Sequence, residues 1–326
     1  QRRVERRGMA PVVIVTGGSG LVGKGIEWVV QNKPDVVGDA KFVFLSSKDA
    51  DLRDEAQTVA CFKKHNPTHV IHLAARVGGL FKNMRSKVEM MTENIAINNN
   101  VLHAANECGV DRCVSMTSTC VFPDKVEYPI GEDMLHQGPP HPSNEGYAYA
   151  KRMVEVLSRC YNEQYGRNYM TVVPTNVFGP FDNFNVDDGH VAPGLMHKCL
   201  NAKKADGTLT VWGTGKPLRQ FIFSRDLAEL VVWSTLTYKG NDSLMLCPDE
   251  SDEISIAELA NTVASSMSFP ADKLVFDTSK ADGQFKKTVS NKRLRGHRPD
   301  FKFTPFSEAM QITCKWFEDN YDTCRK

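Results

Sequence analysis

Apolar residues fall along the chain in short runs, separated by longer stretches whose apolar positions recur at helical spacing. Pro11–Thr16 (PVVIVT), Lys41–Ser46 (KFVFLS), Thr68–Leu73 (THVIHL), Arg112–Thr117 (RCVSMT) and Tyr169–Pro174 predict buried strands. Leu21 to about Asn32, roughly Ser86–Cys108, and Gly146–Tyr165 predict helices between them. Such alternation predicts an α/β fold: a doubly wound, Rossmann-type parallel sheet with helices on both faces. After Thr175 the pattern loosens. Val177–His190, rich in Gly, Pro, Asn and Asp, predicts a long loop. Helices near 192–203, 225–238 and 306–320 and strands near 209–212 and 219–223 follow. The expected division is a basic disordered tail over 1–8, a dinucleotide-binding domain over 9–178 onto which 219–238 packs back, and a smaller α/β substrate domain over 179–326. A cleft is expected between the two.

Charge narrows the class. Among 326 residues, 40 Lys and Arg face 39 Asp and Glu, giving a net charge of +1. Gln1–Gly8 (QRRVERRG) alone carries +3, so the rest of the chain is net −2. No broad basic surface for nucleic acid is expected. No apolar run approaches the ~18 residues of a membrane span. The nine cysteines are irregularly spaced, odd in number and without a C-x-x-C pair. That pattern argues against a zinc site or a secreted disulfide framework and suits a cytoplasmic protein.

Three motifs carry chemistry. Gly17, Gly20 and Gly23 stand at G-x-x-G-x-x-G spacing between the first strand and first helix, in Gly17-Gly18-Ser19-Gly20-Leu21-Val22-Gly23. A tight turn, a bare backbone and a helix N-terminus there would receive a pyrophosphate. The second strand ends in Ser46-Ser47-Lys48, with Asp51-Leu52 beyond it. An NAD site usually places an acid at that strand end. Two hydroxyls and a lysine favour the 2′-phosphate of NADP, a solvated loop lysine being the plain alternative. Tyr147 and Lys151 form Y-x-x-x-K on one face of a helix. The ammonium is expected to lower the phenol pKa, so that Tyr147 exchanges a proton with a substrate oxygen while hydride moves at carbon. Ser118 follows a strand at the carboxyl edge of the sheet, where α/β folds bind ligands. Together these resemble the extended short-chain dehydrogenase/reductase superfamily. Its members include 4-epimerases, 4,6-dehydratases and reductases, and a non-catalytic nucleotide binder is a further alternative.

Cys120 lies two residues after Ser118, and His190 ends the long loop. A thiolate could remove an acidic proton beside a C4 ketone, and a histidine on the opposite face could return one. Each taken alone is more often structural than catalytic. The stretches VTGGSGLVGKGI, SSKDADL, THVIHLAARVGGL, STCVFPD, YAYAKRM, PTNVFGP, DNFNVDDGHV, VWGTGKP and DGQFKK nevertheless resemble the GDP-L-fucose synthase family over nearly the whole chain. That resemblance implies reduction by Ser118, Tyr147 and Lys151, and epimerisation by Cys120 and His190. It implies NADPH held by Gly17–Gly23, Ser47, Lys48, Asp51, Leu52, Leu73, Ala74, Ala75, Met116, Thr117, Lys151, Pro174, Thr175, Asn176, Val177 and His190. It further implies a GDP-sugar substrate held by Ser118, Asn176, Lys198, Trp212, Arg219 and Asp282, no metal, and a homodimer.

Overall fold

The computed structural model describes residues 10–280, 282 and 285–326. The expected basic tail over 1–8 lies outside the described residues. Six parallel strands make the central sheet: β1 (Val12–Thr16), β2 (Lys41–Phe44), β3 (His69–His72), β4 (Arg112–Met116), β5 (Asn168–Pro174) and β10 (Leu244–Leu246). Their order is β10-β5-β4-β3-β1-β2. The chain thus winds outward to β2, then crosses back over β1 to lay down β3. The switch point between β1 and β3 opens a crevice at the carboxyl ends of the strands, where α/β sheets bind ligands. The inner strands are buried on both faces, as parallel sheets covered by helices require, whereas the edge strand β2 is only half-buried.

Two sequence expectations change. The stretch expected as a loop from Val177 begins instead with strand β6 (Asn176–Phe178), which pairs in parallel with β9 (Phe221–Phe223). A helix at Glu55–His65 was not expected, because its apolar stripe is narrow. Its ends are nonetheless well marked. The Asp54 side chain accepts from Gln57 N, and Lys63, Lys64 and His65 complement the dipole in the last turn.

The Ser224–Leu236 helix lies across the Leu21–Asn32 helix. The contact explains Gly25, an unfavourable residue early in a helix. A Cβ there would stand 2.6 Å from the Ser224 carbonyl and 3.1 Å from the Ala228 methyl. Further along the chain, β10 completes the sheet and Leu294 and Phe301 join its core.

The remaining elements form a second core. Phe178, Phe184, Met196, Leu209, Val263, Met310 and Phe317 pack together between the helices Val191–Lys204, Ile256–Ser266 and Phe306–Asp319. Short strands edge it: β7 (Leu209–Trp212) pairs with β12 (Leu274–Asp277), and β8 (Leu218–Arg219) with β11 (Ile254–Ser255).

Candidate active site

A cavity of about 730 Å³ opens along the carboxyl edge of the sheet. One wall is the turn after β1. Gly17 sits at φ +68, and a Cβ on it would meet Ala74 N at 2.9 Å. The Thr16 hydroxyl clamps this approach, contacting His72 Nδ1 at 2.9 Å and accepting from Leu73 N and Ala74 N at 3.2 Å. Asn98 joins His72 Nε2 to the Ala150 carbonyl on the facing helix. Burial drives His72 down to about 3, so this link is neutral. Gly23 packs tightly, since its Cβ would lie 2.5 Å from Gly18 O. Gly20 is bare toward the cavity, and no side chain caps the helix that follows it.

The cavity gathers Gly17, Ser19–Gly23, Ser47, Asp51, Leu52, Leu73–Ala75, Met116–Ser118, Tyr147, Lys151, Pro174–Val177 and His190. Two of the residues expected to touch cofactor are absent from this wall. Gly18 lies under β2, its Cβ position 2.7 Å from Phe44 Cβ, so its role is packing. Lys48 is an exposed turn residue outside the cavity lining. Asp51 does line the cavity, but Arg53 holds it through two guanidinium nitrogens at 2.8–3.2 Å.

Lys151 is 2% exposed and donates to the Met116 carbonyl at 2.9 Å. Burial lowers its pKa to about 8. The expected depression of the Tyr147 phenol is not found. Burial pushes it well above the usual tyrosine range, and nearby Cys120 adds to the shift. The lysine's charge is directed to the β4 carbonyl instead, and desolvation of the ring dominates.

Cys120 occupies a short turn, Thr119–Val121; it is not itself in the cavity lining, but follows the lining residues Ser118 and Thr119 and belongs to the cluster against which Tyr147 packs. Its N–H points at Ser118 Oγ across 3.5 Å. Burial raises its thiol pKa, opposed by Lys287, then Ser118 and Lys151. Desolvation by the surrounding groups also lowers His190, favouring neutral imidazole, although the residue stays exposed.

Of the expected sugar-nucleotide contacts, Ser118 and Asn176 line the cavity, whereas Lys198, Trp212, Arg219 and Asp282 lie outside its lining, on elements around the second core. Lys198 Nζ sits 3.9 Å above the Trp212 ring. Asp282 accepts from Thr214 N and Oγ1 at 2.8 and 2.7 Å, just beyond that tryptophan. Arg219 is mostly buried near Glu253, with Lys287 close enough to feel its charge. No cluster of metal-ligating side chains occurs among the described residues.

Sequence reasoning missed Arg53, Arg76, Glu93 and Arg325, which line the cavity, and Lys287 beside Cys120. The last of these stands inside DGQFKK, a stretch whose chemistry shows only when Ile130 pairs with Val289 and draws it to the β4 turn.

The cavity fits a dinucleotide on its own features. It presents bare glycine backbone at an uncapped helix N-terminus. It also holds the buried Thr175 hydroxyl, which has no hydrogen-bond partner among the described residues. Comparison with known proteins agrees. Residues 13–243 match the family described as "NAD dependent epimerase/dehydratase family". A GDP-L-fucose synthase from Dictyostelium discoideum is 57% identical, covering 96% of this chain and 97% of its own. A probable GDP-L-fucose synthase from Drosophila melanogaster is 49% identical, covering 96% and 99%. The crystal structure of a GDP-L-fucose synthetase from Naegleria fowleri bound to NADP superposes with a TM-score of 0.92 at 50% identity, covering 97% and 95%. With its switch-point cavity, its serine, tyrosine and lysine, and these relatives, the chain belongs to the NAD dependent epimerase/dehydratase family and, within it, to the GDP-L-fucose synthases.

Proposed function

We propose that the protein converts GDP-4-dehydro-6-deoxy-D-mannose to GDP-L-fucose, by 3,5-epimerisation followed by NADPH-dependent reduction at C4. The observation that carries this reading is the convergence of Ser118, Tyr147, Lys151 and His190 on one cavity, with Cys120 in the turn that follows Ser118.

The C4 ketone makes the flanking C3 and C5 protons acidic, because the enolate formed is stabilised. Cys120 takes the proton from one face, and His190 returns one on the other. Burial works against a resting thiolate, while Lys287, Ser118 and Lys151 work for it. Ser118 donates a hydrogen bond to the C4 oxygen. NADPH, when bound, supplies a hydride to C4. Tyr147 gives its proton to the oxygen as the hydride arrives, and its raised pKa suits an acid that stays protonated until then. Lys151, fixed by Met116 O, presents its charge to the nicotinamide ribose. Lys198, Trp212, Arg219 and Asp282 hold the GDP portion, the base lying on the Trp212 face and the cations meeting the phosphates.

The 179–326 region serves mainly as the substrate domain, against a cofactor domain at 9–178. A homodimer is supported by an exposed apolar stripe on the Lys87–Glu107 helix: Val88, 69% exposed, with Met91 and Ile95, alongside Met153 on the neighbouring helix. A cytoplasmic location fits nine free thiols. No helix is long and apolar enough to cross a membrane among the described residues.

The test is incubation with the keto sugar and NADPH in deuterium oxide, with NMR of the product. Deuterium at C3 and C5 together with stoichiometric NADPH consumption is expected. Reduction without label would remove the epimerase half. Cys120→Ser is expected to suppress labelling while leaving NADPH affinity unchanged, and unimpaired labelling would remove Cys120 from the mechanism.

A further inference from the structure

The segment that delivers His190 to the cavity is held from outside itself, by a residue near the end of the chain. Phe184 N donates to Arg325 O at 2.8 Å, and Arg325 Nη2 donates to Phe181 O at 2.8 Å. Asn183 and Arg325 form a parallel bridge. Arg325 also lines the cavity alongside Leu21, Val22 and His190. Its place along that cavity is given by Phe181, whose ring lies 5.6 Å from Lys24 Nζ, one turn into the helix that opens on the glycine loop. Arg325 therefore stands at the end of the cavity where the glycine loop meets that helix.

Its charge is also less engaged than that of its neighbours. The other two guanidinium groups of the lining, Arg53 and Arg76, are paired at 2.8 Å with Asp51 and Glu93. Among the described residues Arg325 has no carboxylate within ion-pair distance. The nearby acid is Asp182, fully buried, with one carboxyl oxygen lacking any hydrogen-bond partner and the other accepting from Asn183 N. Burial pushes that acid up to about 7, so near neutral pH it is far from a full counter-charge.

We propose that Arg325 binds the pyrophosphate of the dinucleotide, and by doing so clasps the His190-bearing loop over the bound cofactor. A guanidinium with a free edge matches a phosphate bidentately. Its other edge, already committed to Phe181 O, carries the loop with it. The proposal rests on NADP as cofactor and is independent of the epimerase steps.

The test compares the full-length wild type, Arg325→Gln and Arg325→Lys by calorimetric titration with two ligands. NADP+ carries the pyrophosphate, and adenosine 2′-monophosphate carries neither of its two phosphates. Arg325→Gln is expected to weaken NADP+ by about tenfold, the order of one charge-assisted hydrogen bond, and to change the 2′-monophosphate less than about twofold. Arg325→Lys is expected to recover part of the loss. Unchanged NADP+ affinity in Arg325→Gln would overturn the proposal. An equal loss for both ligands would also overturn it, by showing general damage to the site. Failure of the wild type to bind NADP+ would sink the cofactor reading itself.

Discussion

Replacing Thr16 with valine tests the clamp that builds the cofactor turn. The side chain keeps its shape and loses only its hydroxyl. That hydroxyl serves three partners in a wholly buried position: His72 Nδ1 at 2.9 Å, and Leu73 N and Ala74 N at 3.2 Å. Leu73 N retains a bond to the Thr16 carbonyl at 3.3 Å. His72 Nδ1 and Ala74 N are left without partners. At about 1–3 kcal/mol for each buried group stranded, two groups give a loss of about 2–6 kcal/mol, the lower half, about 2–4, being expected because Ala74 is only half-buried. Thr16→Ser makes the opposite change, keeping the hydroxyl and losing one methyl worth about 1 kcal/mol. Urea unfolding followed by tryptophan fluorescence measures both, and NADPH titration reports the damage to the turn. Valine is expected to be the more destabilising and to weaken NADPH, because Ala74 no longer holds Gly17 at φ +68. A valine variant within 0.5 kcal/mol of wild type, or more stable than the serine variant, would refute the reasoning.

Gly25→Ala places a methyl 2.6 Å from the Ser224 carbonyl, and overpacking of about 1–3 kcal/mol is expected from thermal or urea unfolding. The Lys151 ammonium titrates at about 8, so the reduction rate is expected to fall as pH rises through that value, read by NADPH absorbance. The sign for stability is opposite. The unfolded lysine keeps its proton up to 10.5, so the cost of burying the charge is present below about 8 and is relieved between 8 and 10.5. Stability relative to Lys151→Met is therefore expected to rise across that window in urea midpoints. Val88→Glu with Ile95→Glu places two charges in the apolar stripe and is expected to yield monomers by light scattering; unchanged mass would exclude that face as the dimer contact.

Five of the six sheet strands were legible because a buried parallel strand is a short continuous apolar run between turn residues. The sixth, Leu244–Leu246, was not, because three residues carry no period. The glycine loop, Ser118, Tyr147 and Lys151 were legible because each motif is local and sits beside a readable strand or helix. Arg53, Arg325 and Lys287 were not, since what makes them part of the site is long-range: a fold that brings residue 325 against residue 184, and 289 against 130. The tyrosine's acidity was misread for a related reason. Spacing announces the lysine four residues on, whereas the burial that outweighs it is a property of the assembled fold.

The pairing of Leu244 with Val172 also bears on how the chain comes to be folded. During synthesis, everything up to Phe178 is made while β5 still has an open outer edge. An unpaired edge is a template for pairing with another chain. Closure of that edge waits for the ribosome to deliver residues near 246, and for Leu294 and Phe301 after them to seal the layer. The enzyme is thus most exposed to aggregation in the middle of its own translation. A fragment cut near 178 would contain the glycine loop and five sheet strands, but would lack the sixth strand and the Ser224–Leu236 helix that complete the layer.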